Sequence, residues 1–148
     1  MEEKRAARTV IIDRDYEIFR TAIISVRNGE YFKIPGGGIE EGESEEEAAI
    51  REAREEAGCD VTLLKEIGRS SFTDEKSILH SSICFLAERK SNGIVSFDEW
   101  EKSNDFKVDW VSLKEADRLF RSSKTNDPFG KKINERDHAF LLESRKLL

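Results

Sequence analysis

Cysteine is scarce in this sequence: Cys59 and Cys84 are the only two. Two thiols make no disulfide framework, and no C-x-x-C pair is present. That usage fits a reduced, cytoplasmic setting. Long apolar runs are also missing. No stretch approaches the roughly 20 residues of a membrane span. The opening "MEEKRAARTV" has neither the apolar run nor the small-residue cleavage pattern of a signal peptide. There is no basic excess either. With 25 Lys and Arg against 31 Asp and Glu, the net charge is −6. That balance argues against a protein that coats nucleic acid through a basic stripe. Small phosphorylated ligands stay open, because a bound cation can mask local charge.

What is present suffices for one core. The 148 residues are 37% apolar and 38% charged, with nine Phe, two Trp and two Tyr. This describes a single domain, 1–148, with a very polar surface. "ARTVII" and "EIFRTAIISV" read as strands separated by the turn "DRDY", and "NGE" at 28–30 as a hairpin turn into "YFKI". Pro35 and Gly36–Gly38 read as a break in regular structure. Ser44, with Glu47 three residues on, forms a capping box for a helix from about Glu45 to Ala57, and Gly58 is its stop. "DVTLLKEIGRSSFTD", "SILHSSICFLAERK" and "FKVDWVSL" are further strands. "SNGIVSFDEWEKSND" is an acidic connection, and Ser112 caps a helix "LKEADRLFRS". "SKTNDPFGK" is a loop before a final helix "INERDHAFLLESRKLL". Helices do not alternate with every strand, so the class is mixed α/β or α+β rather than a doubly wound sheet.

The densest signal is "GGGIEEGESEEEAAIREAREEAGC", nine glutamates in the 24 residues from Gly36 to Cys59. At 100° per residue, Ala49, Ile50, Ala53 and Ala57 form an apolar arc, while Glu52, Glu55 and Glu56 share another face. Three clustered carboxylates repel one another and suit a hard divalent cation, Mg²⁺ or Mn²⁺. A solvated acidic face, with Arg51 and Arg54 as partners, is the plain alternative for the helix alone. The three glycines allow close backbone approach and positive φ.

The stretch resembles the Nudix box. Gly37, Glu43, Arg51, Glu52, Glu55, Glu56 and Gly58 match its fixed positions within 37–59, and Ala53 and Cys59 fill its two aliphatic positions with small residues. The flanks "YFKIPGG" and "KVDWVSLKEA" look similar too. The resemblance implies an α/β/α sandwich with a mixed, curled sheet and the box as a loop–helix–loop. It implies metal-dependent hydrolysis of a nucleoside diphosphate linked to another moiety, with a small nucleotide as substrate rather than a nucleic-acid polymer or a membrane. It makes Glu52, Glu55, Glu56 and the Gly36 carbonyl metal ligands, and Arg51–Glu43 an orienting ion pair. The chain would act as a monomer or homodimer.

A general base is expected outside the box, at Glu99 or Glu101 with Asp98 behind them, unless Glu55 or Glu56 activates the water through the metal. The glutamate face is expected to be open to solvent without metal. Phe72, Phe85, Trp110 and Tyr31 are available for a base platform, and Arg8, Arg20 and Lys33 for phosphates. His80 reads as a packed or surface histidine, His138 as structural, and Cys84 as core. The proline of ADP-ribose hydrolases and the tyrosine of diadenosine-polyphosphate hydrolases are both missing after the box. That tilts the substrate towards nucleoside triphosphates, oxidised ones such as 8-oxo-dGTP included. The rivals are a catalytically silent Nudix-fold binding module, which would commonly lose box glutamates, and a calcium-binding acidic helix, for which the EF-hand spacing is lacking.

Overall fold

The computed structural model describes residues 1–14 and 18–148. The start of the expected "EIFRTAIISV" strand and the end of the "DRDY" turn lie outside the described residues. Four strands, β1 (Glu3–Ile12), β4 (Gly36–Gly38), β5 (Cys59–Thr73) and β6 (Leu79–Asn92), form a mixed sheet in the order β4-β1-β6-β5. β1 runs parallel to β6, with Ala7 opposite Ile83, and the other two pairings are antiparallel. β2 (Arg20–Val26), β3 (Tyr31–Lys33) and β7 (Lys107–Ser112) form an antiparallel sheet in the order β3-β2-β7.

Strand parity assigns the two faces of the first sheet. Ala7, Ile11, Ile83, Phe85 and Ala87 pack against helix α1 (Glu45–Glu52) and the turn after it. Val10, Ile12, Cys84 and Leu86 pack instead against α3 (Leu113–Arg121) and α4 (Pro128–Arg145), through Phe120, Phe140 and Leu141. The second sheet adds Ile23, Phe32 and Ile34 to that core. The face of α1 and of the turn after it that meets the sheet is almost all alanine: Ala48, Ala49 and Ala53 are fully buried and Ala57 nearly so. Small side chains let the helix axis come close, which brings the glutamates down towards the sheet.

Four expectations about secondary structure need correction. Gly36–Gly38 do not break regular structure: they pair with Arg8, Ala7 and Ala6 of β1 as strand β4. None of the three has positive φ, and close approach explains Gly36 and Gly37 but not Gly38, where a Cβ would meet open space. A Cβ on Gly36 would lie 2.6 Å from Arg8 Cγ, and one on Gly37 only 2.5 Å from Glu52 Oε1. The final helix begins at Pro128, inside the stretch read as loop. Asp127 caps it by accepting from the Phe129 N–H, and proline suits the first helical position because its missing N–H would be unpaired there anyway. The box helix has the expected span, but Ala53–Ala57 is a π-helical turn ending at Gly58, φ 67°. The acidic connection also contains a short helix, α2 (Glu99–Ser103), capped by Asp98 and Glu101 in a capping box.

α4 clamps β3 from its free edge. Asn134 Oδ1 accepts from Phe32 N–H at 2.9 Å, and Asp137 Oδ2 accepts from Ile34 N–H at 3.0 Å. Alternate residues face one edge of a strand, so two side chains a helical turn apart satisfy both N–H groups. Asp137 is fully buried between Arg136, 2.8 Å away, and Arg8, 3.8 Å away. Burial works against its ionisation, but the two arginines outweigh that and hold its carboxyl below the usual range. Arg8 is therefore a buried structural cation, bonded also to Ser82 Oγ, and not the surface phosphate contact the sequence suggested. β3 leads straight into Gly36, so this clamp fixes the entry to the glutamate loop.

Candidate active site

Arg51 ties the loop to the helix. Its Nε donates to Glu43 Oε2 at 2.7 Å and its Nη2 to Glu43 Oε1 at 2.9 Å, a two-pronged pair of the strong kind. Nη2 also donates to the Gly38 carbonyl, and Nη1 to Glu52 Oε1 at 2.9 Å and Glu55 Oε2 at 3.2 Å. The hydrogen bonds from Arg51 hold the Glu43 carboxyl down at about 2. Its contribution to stability is therefore complete above the ordinary glutamate range and is lost as pH falls through that value.

Glu56 is 1% exposed. Oε1 accepts from Lys33 Nζ at 3.0 Å and from the Gly36 N–H at 3.0 Å. Lys33 Nζ also donates to the Gly36 carbonyl at 3.1 Å. Burial opposes ionisation of Glu56, but Lys33, a hydrogen bond from Glu101 and the Gly36 amide overcome it and lower its pKa. Glu52, also buried, packs against Gly37 and is pushed up to about 7, by burial first and then by the charge of Glu56. The expectation of an open glutamate face is thus wrong for Glu52 and Glu56. Only Glu55 is substantially exposed, its side chain at 42%. Helix periodicity places carboxylates on one face but does not say which element covers that face.

The structure separates the two candidates for a base. Glu101 hydrogen-bonds to Glu56 and is pushed up to about 8, by burial first and then by that bond. Glu99 stands in solvent, its side chain 95% exposed beside Lys102. Asp98 caps α2 and holds Glu101 in place: its Oδ1 accepts from the Glu101 N–H, and Glu101 Oε1 from the Asp98 N–H. The segment before α2 is tied to the end of the box. Ser96 N–H donates to the Glu55 carbonyl at 2.7 Å, and Gly93 N–H to the Gly58 carbonyl at 2.6 Å. Carbonyls left free at a helix C-terminus need such partners.

Six carboxyls, those of Glu40, Glu43, Glu52, Glu55, Glu56 and Glu101, thus face two cations, Lys33 and Arg51. Among the described residues, no three acidic, His or Cys groups are already assembled as a metal cage, because Glu52 and Glu56 turn to their internal partners. The donor set still fits Mg²⁺ or Mn²⁺. Three carboxylates and a backbone carbonyl are hard oxygens, and the Glu56 and Gly36 oxygens already hold a cation, the Lys33 ammonium. Gly37 leaves the space that the Glu52 carboxylate fills.

A pocket of about 700 Å³ carries Phe72, His80, Trp100 and Phe129, with Lys4, Asp74, Asp127 and Lys132 among its polar groups. His80 stacks on Phe72 at 5.0 Å and bonds Asp74 at 2.8 Å. Trp100 meets Phe106 edge-on at 5.7 Å, and Lys33 Nζ lies 5.2 Å over Phe106. Those rings connect the pocket to the glutamates. Of the four aromatics named from sequence, only Phe72 lines it. Phe85 and Tyr31 are core, and Trp110 is half-buried under Arg89. Arg20 is exposed on β2, and Lys33 is committed to Glu56. His138 bonds Asp117 and stacks on Phe120, as a structural histidine would. Trp100 and Phe129 escaped the sequence reading. The capping box over Asp98 and Glu101 was the signal that could have ordered the first of them.

The family model described as NUDIX domain matches residues 3–134. The chain is 33% identical over 103 residues to "Nudix hydrolase 4" of Arabidopsis thaliana, an overlap of 68% of this chain and 47% of that protein. It is 45% identical over 53 residues to a "Putative 8-oxo-dGTP diphosphatase" of Bacillus subtilis (strain 168), covering 34% of this chain and 36% of that one. It thus spans about half the length or less of these two relatives. Among solved structures, the C. elegans Ap4A hydrolase superposes with a TM-score of 0.67 at 19% identity, covering 99% of this chain and 98% of that one. At that identity the likeness is one of fold.

Proposed function

The chain belongs to the Nudix family, and from that premise we propose that it hydrolyses a diphosphate linkage in a nucleoside triphosphate or oxidised nucleotide. Glu52, Glu55, Glu56 and the Gly36 carbonyl would hold the divalent cation. When bound, such a cation neutralises phosphate charge and makes coordinated water more acidic. Arg51 keeps Glu52 and Glu55 oriented, while Lys33 holds Glu56. Glu101 is the base that takes a proton from water, and Asp98 holds it in position. The nucleobase lies in the aromatic pocket, on Trp100 and Phe129, with Asp127 and Asp74 as polar partners.

The observation that carries this reading is convergence. Glu101 and the Gly36 N–H both meet Glu56, the Gly36 carbonyl shares the Lys33 ammonium with it, and the rings beside them lead into the pocket. The similarity over 53 residues to the "Putative 8-oxo-dGTP diphosphatase" supports the oxidised-nucleotide choice. Phosphate and pyrophosphate release should be screened over nucleoside triphosphates, their 8-oxo forms and dinucleoside polyphosphates with Mg²⁺ and Mn²⁺. Turnover strongest on dinucleoside polyphosphates would replace the triphosphate reading.

A base with its pKa pushed up to about 8 is inactive while protonated. The rate should therefore rise with pH along a limb that ends no higher than about 8. Glu101→Gln should flatten that limb and lower kcat by about 10²-fold, within the range for general-base loss. An unchanged pH profile would remove Glu101 from the role.

Trp100, 54% exposed within the pocket, offers its ring at little cost in ordering. Trp100→Ala should raise KM about tenfold with little change in kcat, since stacking on one base contributes roughly 1–3 kcal/mol. A KM equal to that of the parent would put the base elsewhere.

A further inference from the structure

We propose that Lys33 is the resident cation of the glutamate cluster, and that a divalent cation binds by displacing its ammonium group from Glu56 and Gly36. The proposal rests on the functional reading above, which makes those oxygens metal ligands. Lys33 Nζ lies 3.0 and 3.4 Å from the two Glu56 carboxylate oxygens and 3.1 Å from the Gly36 carbonyl. It therefore holds oxygens from two of the four donor residues that the divalent cation would need.

Arg51 is different. Its guanidinium is anchored on Glu43 and Gly38 and reaches the cluster only from the Glu52 and Glu55 side. Arg51 can stay when the cation binds, whereas Lys33 cannot keep its present contacts. Its backbone cannot yield, because β3 is clamped on either side of it by Asn134 and Asp137. Movement must come from the side chain, whose flexible four-carbon stem allows it. The face of Phe106, 5.2 Å from Nζ, is an adjacent place for a displaced ammonium, and Trp100 and the pocket lie beyond it.

This makes Lys33 a positioning residue with a testable sign. If Lys33 only supported the fold, neutralising it would loosen Glu56 and weaken cation binding. If it competes, neutralising it strengthens binding. The measurement is the Kd of Mn²⁺ by titration calorimetry, on the whole chain without nucleotide, for the parent, Lys33→Gln, Lys33→Arg and Glu56→Gln. Circular dichroism establishes that each is folded. Lys33→Met, which keeps an apolar stem against Phe106, is the second neutral variant and reads the same way. Competition predicts Mn²⁺ binding about tenfold or more tighter in either neutral variant, parent-like binding in Lys33→Arg, and strong loss in Glu56→Gln. Neutral variants that bind no tighter than the parent, while Glu56→Gln still loses Mn²⁺, overturn the Lys33 proposal and leave the metal site standing. Binding that is indifferent to Glu56→Gln, or absent from parent and neutral variants alike, overturns both.

Discussion

Glu56→Gln should lower kcat by a factor of about 10² or more, a loss of roughly 3 kcal/mol of transition-state stabilisation. The glutamine keeps the size of the side chain and an oxygen for the Gly36 N–H, but loses the charge that Lys33 and the divalent cation both seek. The substitution is not silent for the fold. Glu56 is buried, and its partner Lys33 is too, so the variant leaves an ammonium short of a counter-charge. A buried charge without its partner is costly. The retained hydrogen bonds limit the loss to about 2 kcal/mol. Rates are therefore compared well below the lowered Tm, where both proteins are fully folded. A parent-like kcat there would remove Glu56 from the metal site.

Asp137→Ala should produce the largest loss of stability. The carboxylate is fully buried and accepts from the Ile34 N–H and from Arg136. It also lies beside the buried Arg8. Alanine orphans the strand N–H and leaves two buried guanidinium groups without this anion. Breaking a buried pair in this way costs about 3–5 kcal/mol, and a domain of this size loses roughly 2–4 °C of Tm per kcal/mol. A fall of about 10 °C is expected, measured by thermal denaturation. Asp137→Asn keeps one acceptor and should lie between the two. The pH dependence has a definite sign. The folded carboxyl sits below its ordinary value, so its contribution is present above that value and disappears as pH falls through the lowered one. A Tm within 2 °C of the parent, about the effect of a surface change, would show that the clamp on β3 is not needed.

Local signals in the sequence are legible where both partners are close in the chain. The Ser44 and Glu47 capping box, the Gly58 stop and the Ser112 cap stand as expected, and so does the Arg51–Glu43 pair that the family resemblance implied. Two local signals were available and missed: Asp127-Pro128 as a helix start, and Asp98 with Glu101 as a second capping box. What could not be read is non-local. That Gly36–Gly38 pair with β1 depends on a strand 30 residues away. Lys33 meets Glu56 across 23 residues, and Asp137 meets Ile34 across 103. Parity alone shows that Phe72 and Phe85 belong to strands, but not that the pocket lies on the Phe72 side. The burial of Glu56 follows from the alanine face of α1, which sequence shows, and from the depth of its docking, which it does not.

Under the proposed function, the box glutamates of this chain support diphosphate hydrolysis through a divalent cation. The most direct measurement is product release from a nucleoside triphosphate, or its 8-oxo form, in Mg²⁺ and then in excess EDTA with matched ionic strength. Release in Mg²⁺, its disappearance in EDTA and its return when Mg²⁺ is restored are the predicted results. An undiminished rate in EDTA, or no release from any nucleotide in Mg²⁺ or Mn²⁺ by a folded protein, would contradict it.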